Sequence, residues 1–170
     1  MHREVNKNML NETDIRILAQ LRKDGRMKLT KISKNIQVPV TTIYGKIKSF
    51  EQRHIRKYAP LLDFAALGYN VKVQMVISVA KEGREKLRNY LLAHTNVNTL
   101  QKVNFGSDFL AECIFTTIPE LEKFTLGMEK RFPIKGITRF HITEELKQEE
   151  FMADERHVSN AGKIGEDAVS

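Results

Sequence analysis

The chain has 170 residues, of which 41% are hydrophobic and 29% charged, with a net charge of +7. This is one large domain or two small ones with enough apolar content to bury a core, which excludes a disordered chain. No apolar run is long enough for a transmembrane helix, Met1 to Glu4 lead into no secretory-type apolar segment, and the single cysteine, Cys113, excludes a disulfide framework and a cysteine-based zinc site.

Residues 10–56 read as three short helices. Asn11 and Thr13 are candidate N-caps and Asp14 suits a first turn. Ile15, Leu18 and Leu21 then recur at the spacing of one helical face, and Asp24–Gly25 stops the run. A second helix from about Thr30 turns Ile32 and Ile36 inward. Pro39 breaks it, because proline has no N–H and restrains its predecessor. A third helix from about Thr41 buries Ile43, Ile47 and Phe50. Residues 58–69, with Pro60 and Gly68, read as a linker.

Strand periodicity follows, with Val71, Val73, Met75, Ile77 and Val79 on one face of residues 71–79. Residues 84–94 return to helical spacing through Leu87, Tyr90 and Leu91. Residues 97–105 and 109–117 read as two strands around Gly106–Ser107–Asp108. Pro119 opens a further helix with Leu121, Phe124 and Met128 inward. A last strand is expected over 136–144. The order strand, helix, strand, strand, helix, strand is the ferredoxin-like pattern. The expected fold is therefore α+β, with a helix-turn-helix domain over 1–57, the linker at 58–69 and a ferredoxin-like domain over 70–150. Residues 151–170 have few large apolar groups and read as a mobile tail. Such a sheet has a second face without helices. Val76, Leu100, Leu110, Ile114, Phe140 and Ile142 make it apolar, so another copy of the chain is expected to cover it.

Charge is unevenly divided. Residues 1–59 carry +9 and residues 60–170 carry −2. A basic first third on a near-neutral remainder points to a polyanion-binding module. Within a helix-turn-helix the last helix enters the major groove. Its expected outward residues are Thr41, Thr42, Tyr44, Gly45, Lys46, Lys48 and Ser49. Hydroxyls and methyls of threonine can meet base edges, and lysines can reach guanine or phosphate. Arg26, Lys28, Lys31, Arg53, Arg56 and Lys57 are candidate phosphate contacts, which supply affinity rather than sequence information. The bland alternatives are a solvated basic face and a three-helix protein-binding module.

The chain resembles the Lrp/AsnC (leucine-responsive, feast/famine) transcription regulators over residues 9–146 or so. The likeness rests on Leu10 to Leu18 with Leu21 and Asp24–Gly25–Arg26. It continues in Thr41 to Glu51 with Ile55 and Tyr58, then in Leu62–Asp63 through Leu67–Gly68–Tyr69. It implies a winged helix-turn-helix that binds double-stranded DNA and a second domain that forms a homodimer or a larger ring such as a tetramer or octamer. It also implies a small-molecule effector, an amino acid, near the turn between the middle strands. Asn104, Gly106, Ser107 and Asp108 are the effector candidates on that basis, with Asp108 against the ammonium group; a plain hairpin turn is the alternative. Two features depart from the family. Arg53–His54 stands where a glycine usually precedes the short hairpin, and only Ser107 separates Gly106 from Asp108 where the family usually has two residues.

The five histidines (positions 2, 54, 94, 141 and 157) fall at no metal-ligand spacing. No cofactor, metal or membrane partner is expected, and the expected compartment is a reducing cytoplasm. Two other function classes remain open: an enzyme of the siroheme-decarboxylase type on the same architecture, and an interaction adaptor. The absence of tryptophan and the +9 of the first third weigh against the enzyme.

Overall fold

The computed structural model describes residues 10–104 and 106–154. The expected tail from residue 155 onward, and the first nine residues, lie outside that range. The described chain divides into two compact units, one of residues 10–61 with 147–154 and one of residues 62–146.

The first unit holds α1 (Glu12–Lys23), α2 (Leu29–Ile36) and α3 (Val40–Arg53). Asn11 caps α1 in a reciprocal capping box: the Asp14 N–H donates to Asn11 Oδ1 at 2.9 Å, and the Asn11 N–H donates to Asp14 Oδ2 at 3.0 Å. The core is Ile17, Ile32, Ile36, Ile43, Ile47 and Phe50, with Leu10, Leu18 and Leu21 packed at its margin. Ile17 is therefore the central α1 residue, and Ile15 lies on the opposite face of the helix, since two residues on a helix diverge by about 200°. Asn35 Nδ2 donates to Gln20 Oε1 at 2.7 Å and ties α2 to α1. The turn into α3 is made by Gln37 with φ of 57°, a left-handed conformation uncommon for a non-glycine residue. After α3 the chain runs to Tyr69 without an assigned strand, so no hairpin is formed where the usual glycine is replaced by Arg53–His54.

The second unit is an antiparallel sheet of β1 (Val71–Val79), β2 (Val97–Lys102), β3 (Phe109–Phe115) and β4 (Ile134–His141), in the order β2-β3-β1-β4. Helices α4 (Arg84–Ala93) and α5 (Ile118–Arg131) cover one face. α5 starts at an N-cap, Thr117, with Pro119 in its first turn. Val71, Val73, Met75, Ile77 and Val79 alternate into the core against Leu87, Leu91, Leu121, Phe124 and Met128. Cys113 is fully buried there, and burial pushes its thiol up to about 12, so it is a small hydrophobe at neutral pH.

The bare face is less apolar than its sequence suggests. Leu100 is not on it. A register shift between Val97 and Thr99 inserts an extra residue, and Leu100 then pairs with Ala111 and packs into the core. Ile114 is on this face but already 93% covered within its own chain, at 7% exposure. Val76, Leu110, Phe140 and Ile142 remain, beside an ionic cluster of Lys72 with Glu112 at 3.2 Å and with Glu145. Burial opposes the Lys72 charge, but its hydrogen bonds to Glu145 and Glu112 outweigh that and hold its pKa above the ordinary lysine value.

Candidate nucleic-acid interface and effector turn

The helical repeat sets what α3 can offer. With Ile43, Ile47 and Phe50 buried, the opposite stripe falls on Thr41, Gly45, Lys48 and Gln52, all exposed. Thr42 and Tyr44 flank it and are exposed too. Gln52 was not singled out from sequence, although its spacing of seven from Gly45 places it on the same stripe. Nothing lies within 4 Å of the position a Cβ would take on Gly45. Lys48 Nζ is 3.1 Å from Glu51 Oε2 and 5.9 Å from the centre of the Tyr44 ring. The hydrogen bond and charge of Glu51 hold the Lys48 pKa above its ordinary value.

Lys46 is elsewhere. It lies three residues from Ile43 and four from Phe50, at the edge of the buried face. Its ammonium pairs with the Asp14 carboxylate on α1, with side chains 27% and 12% exposed. The fully outward position expected for Lys46 is corrected by this pairing: the side chain joins α3 to α1. Ser49 is likewise half-buried.

Arg26, Lys28, Lys31, Arg53, Arg56 and Lys57 are all exposed. Lys28 and Pro39 precede α2 and α3 without a capping side-chain hydrogen bond, and neither helix has an acidic residue in its first turn. Their first N–H groups therefore lack a side-chain cap, a feature that favours phosphate.

The β2–β3 turn brings Asn104, Gly106, Ser107 and Asp108 together, with Asn104 and Gly106 exposed and Ser107 and Asp108 half-buried. Gly106 has φ of 90°, where a side chain would be strained. Its carbonyl accepts from Ser78 Oγ at 2.9 Å. Asp108 already has two partners within the chain. Its Oδ2 accepts from the Val79 N–H at 2.8 Å, and its Oδ1 lies 2.6 Å from Arg84 Nε. The Asp108 carboxylate thus braces the end of β1 and the start of α4.

Among the described residues no helix is long and apolar enough to cross a membrane. No group of three or more histidine, cysteine or carboxylate side chains is placed to hold a metal ion among them.

Residues 10–55 match the family model for winged helix-turn-helix DNA-binding domains. An uncharacterized HTH-type transcriptional regulator of Pyrococcus horikoshii is 30% identical over 129 residues, 75% of this chain and 80% of that one. The leucine-responsive regulatory protein of Rhizobium meliloti is 22% identical over 121 residues, 69% of this chain and 78% of that one. Among solved structures, a transcriptional regulator of Neisseria meningitidis in complex with L-Met superimposes with a TM-score of 0.75 at 22% identity. It covers 82% of this chain and 94% of that chain. An AsnC family transcriptional regulator of Agrobacterium tumefaciens gives 0.73 at 20% identity, with coverage of 82% and 94%.

Proposed function

This chain belongs to the Lrp/AsnC family of helix-turn-helix transcriptional regulators, and from that premise we propose how it meets DNA, its own copies and an effector. It is a regulator that binds DNA through its helix-turn-helix, not an enzyme of the siroheme-decarboxylase type. A regulator of genes works where the DNA is, hence in the cytoplasm.

The α3 stripe enters the major groove, with Thr41 and Thr42 against base edges and Lys48 and Tyr44 against phosphate. Arg26, Lys28, Lys31, Arg53, Arg56 and Lys57 contact phosphates on either side. Lys46 supports α3 from behind through Asp14. One observation carries this reading: the exposed stripe of α3 has an open glycine at its centre and basic residues around it. Thr41→Ala should change which sequences are preferred. Lys28→Ala and Arg56→Ala should weaken binding to all sequences alike. Equal loss on all sequences for Thr41→Ala would overturn the base contact.

The bare face of the second unit is where two copies pair. Phe140 is 55% and Ile142 37% exposed. Phe140 is paired with Gln74 and Ile142 lies level with Lys72 on the face that also carries Val76 and Leu110, and pairing of two such faces would remove them from water. Phe140→Glu should split the assembly in light scattering. A monomeric wild type at micromolar concentration would refute the pairing.

For the effector, the supporting observations are the open main chain at Gly106 and the L-Met complex of the Neisseria relative. An amino acid would lie against Asn104, Gly106 and Ser107, with Asp108 shaping the turn through Arg84. Thermal melts with methionine and the other amino acids test this. A ligand at 100 times its Kd adds about 2.7 kcal/mol of stability, and the absence of any shift would remove the site.

A further inference from the structure

α1 has two buried faces where a three-helix unit needs one. Ile17 points into the helical core. On the opposite side Ile15 is only 4% and Ala19 0% exposed, and neither belongs to that core. Arg22 lies on this same outer side, three residues from Ala19. It is tied to a segment more than 120 positions away: its Nε donates to the Phe151 carbonyl at 3.0 Å, and its terminal guanidinium nitrogen binds both the carbonyl and the carboxylate of Glu149, the latter at 2.9 Å. Ala153, two residues on, is 6% exposed, and its N–H donates to the Glu150 carbonyl at 3.1 Å. Glu149 and Met152 have φ of 53° and 63°. Non-glycine residues persist in that region where their surroundings hold them. Residues 151–154, the start of the segment expected to be a mobile tail, carry part of these contacts.

We infer that residues 149–153 are a C-terminal strap that completes the DNA-binding unit by closing the outer face of α1. A unit of three short helices with six core residues buries little apolar surface and is marginal by itself. The strap adds a second buried face. It also gives α1 a firmer hold on the recognition helix, because α1 carries Asp14, the partner of Lys46. The DNA-binding unit is then connected to the sheet unit twice, through the linker and through the segment that follows β4.

Hydrogen exchange on the full-length protein tests this. Ala153→Glu places a charge in the buried contact, and Arg22→Ala removes the three hydrogen bonds from α1. Each should speed exchange of the α1 and α3 amides by roughly tenfold or more while β1, β3 and α5 exchange as before. A chain ending at Leu146 should match Ala153→Glu. The inference is overturned if the Ala153 amide exchanges as in an unfolded peptide in the wild type. It is also overturned if all three variants leave α1 and α3 as protected as before. None of these changes touches the α3 stripe, so loss of the strap and loss of the DNA contact are separately visible.

Discussion

Gly45 separates the stability of the recognition helix from its use. It stands in the middle of α3, where glycine is about 1 kcal/mol less favourable than alanine because the flexible backbone must be fixed. An added Cβ would meet nothing within 4 Å in the free protein, so no steric cost offsets that gain. Gly45→Ala should therefore stabilise the first unit by up to about 1 kcal/mol, which for a unit of this size raises Tm by roughly 4–8 °C. On DNA the sign reverses if the α3 backbone approaches the groove at this point, because the methyl then occupies space taken by a base or sugar. Urea or thermal melts followed by circular dichroism give the first quantity, and fluorescence anisotropy with labelled duplex gives the second. A variant that melts higher and binds DNA less tightly supports the close approach. A variant that melts higher and binds as the wild type refutes it, and a lower Tm refutes the open surroundings of Gly45.

Two further outcomes follow from paired and buried groups. Lys46→Met should destabilise the first unit by about 1–3 kcal/mol, less than the ~3–5 kcal/mol of a fully buried pair, because 27% of the Lys46 side chain remains exposed. Unchanged melting with weakened DNA binding would instead make Lys46 a DNA contact. His94 is half-buried against Phe124 and Tyr90, its rings' centroids 4.6 and 5.4 Å apart respectively. Burial first, and the Arg131 guanidinium second, hold its pKa below 6.5. The unfolded chain then binds the proton more readily, so stability should fall as pH drops below 6.5 and stay level above it, and His94→Gln should flatten that slope in melts across pH 5–8.

The order of elements was legible because helix and strand periodicities are local. Val71 to Val79 alternates without a break, and Asn11 with Asp14 and Thr117 with Pro119 mark helix starts in short spans of chain. Leu100 was misassigned because an extra residue in β2 reverses the face of everything after it, and that shift exists only in the pairing with β3. The last strand begins at Ile134 rather than 136 because it pairs across an irregularity at Ser78–Val79. The site was legible to the level of the helix and its stripe. It was illegible where a charged side chain has a distant partner. Lys46 looks like any surface lysine until Asp14, 32 positions away, is found beside it. Asp108 reads as an effector ligand until Arg84 is found, and nothing local to Arg22 announces Glu149.

Those hidden partners bear on how strongly DNA binding should depend on salt. Of the fourteen Lys/Arg in residues 1–59, Lys46 and Arg22 are each paired with an internal carboxylate. On the proposed face this leaves Arg26, Lys28, Lys31, Lys48, Arg53, Arg56 and Lys57. Each phosphate neutralised contributes about −0.9 to the slope of log affinity against log salt, so seven contacts set a ceiling near 6 in magnitude per subunit. Lys48 should contribute less than a full unit, since Glu51 competes for its ammonium at 3.1 Å. Glu51→Gln releases that lysine and should steepen the slope by up to about 1 while tightening binding at low salt. Anisotropy titrations from 50 to 300 mM salt read both quantities. A wild-type slope well above the ceiling would mean that Lys46 and Arg22 leave their partners on DNA. An unchanged slope in Glu51→Gln would mean that Lys48 does not reach phosphate at all.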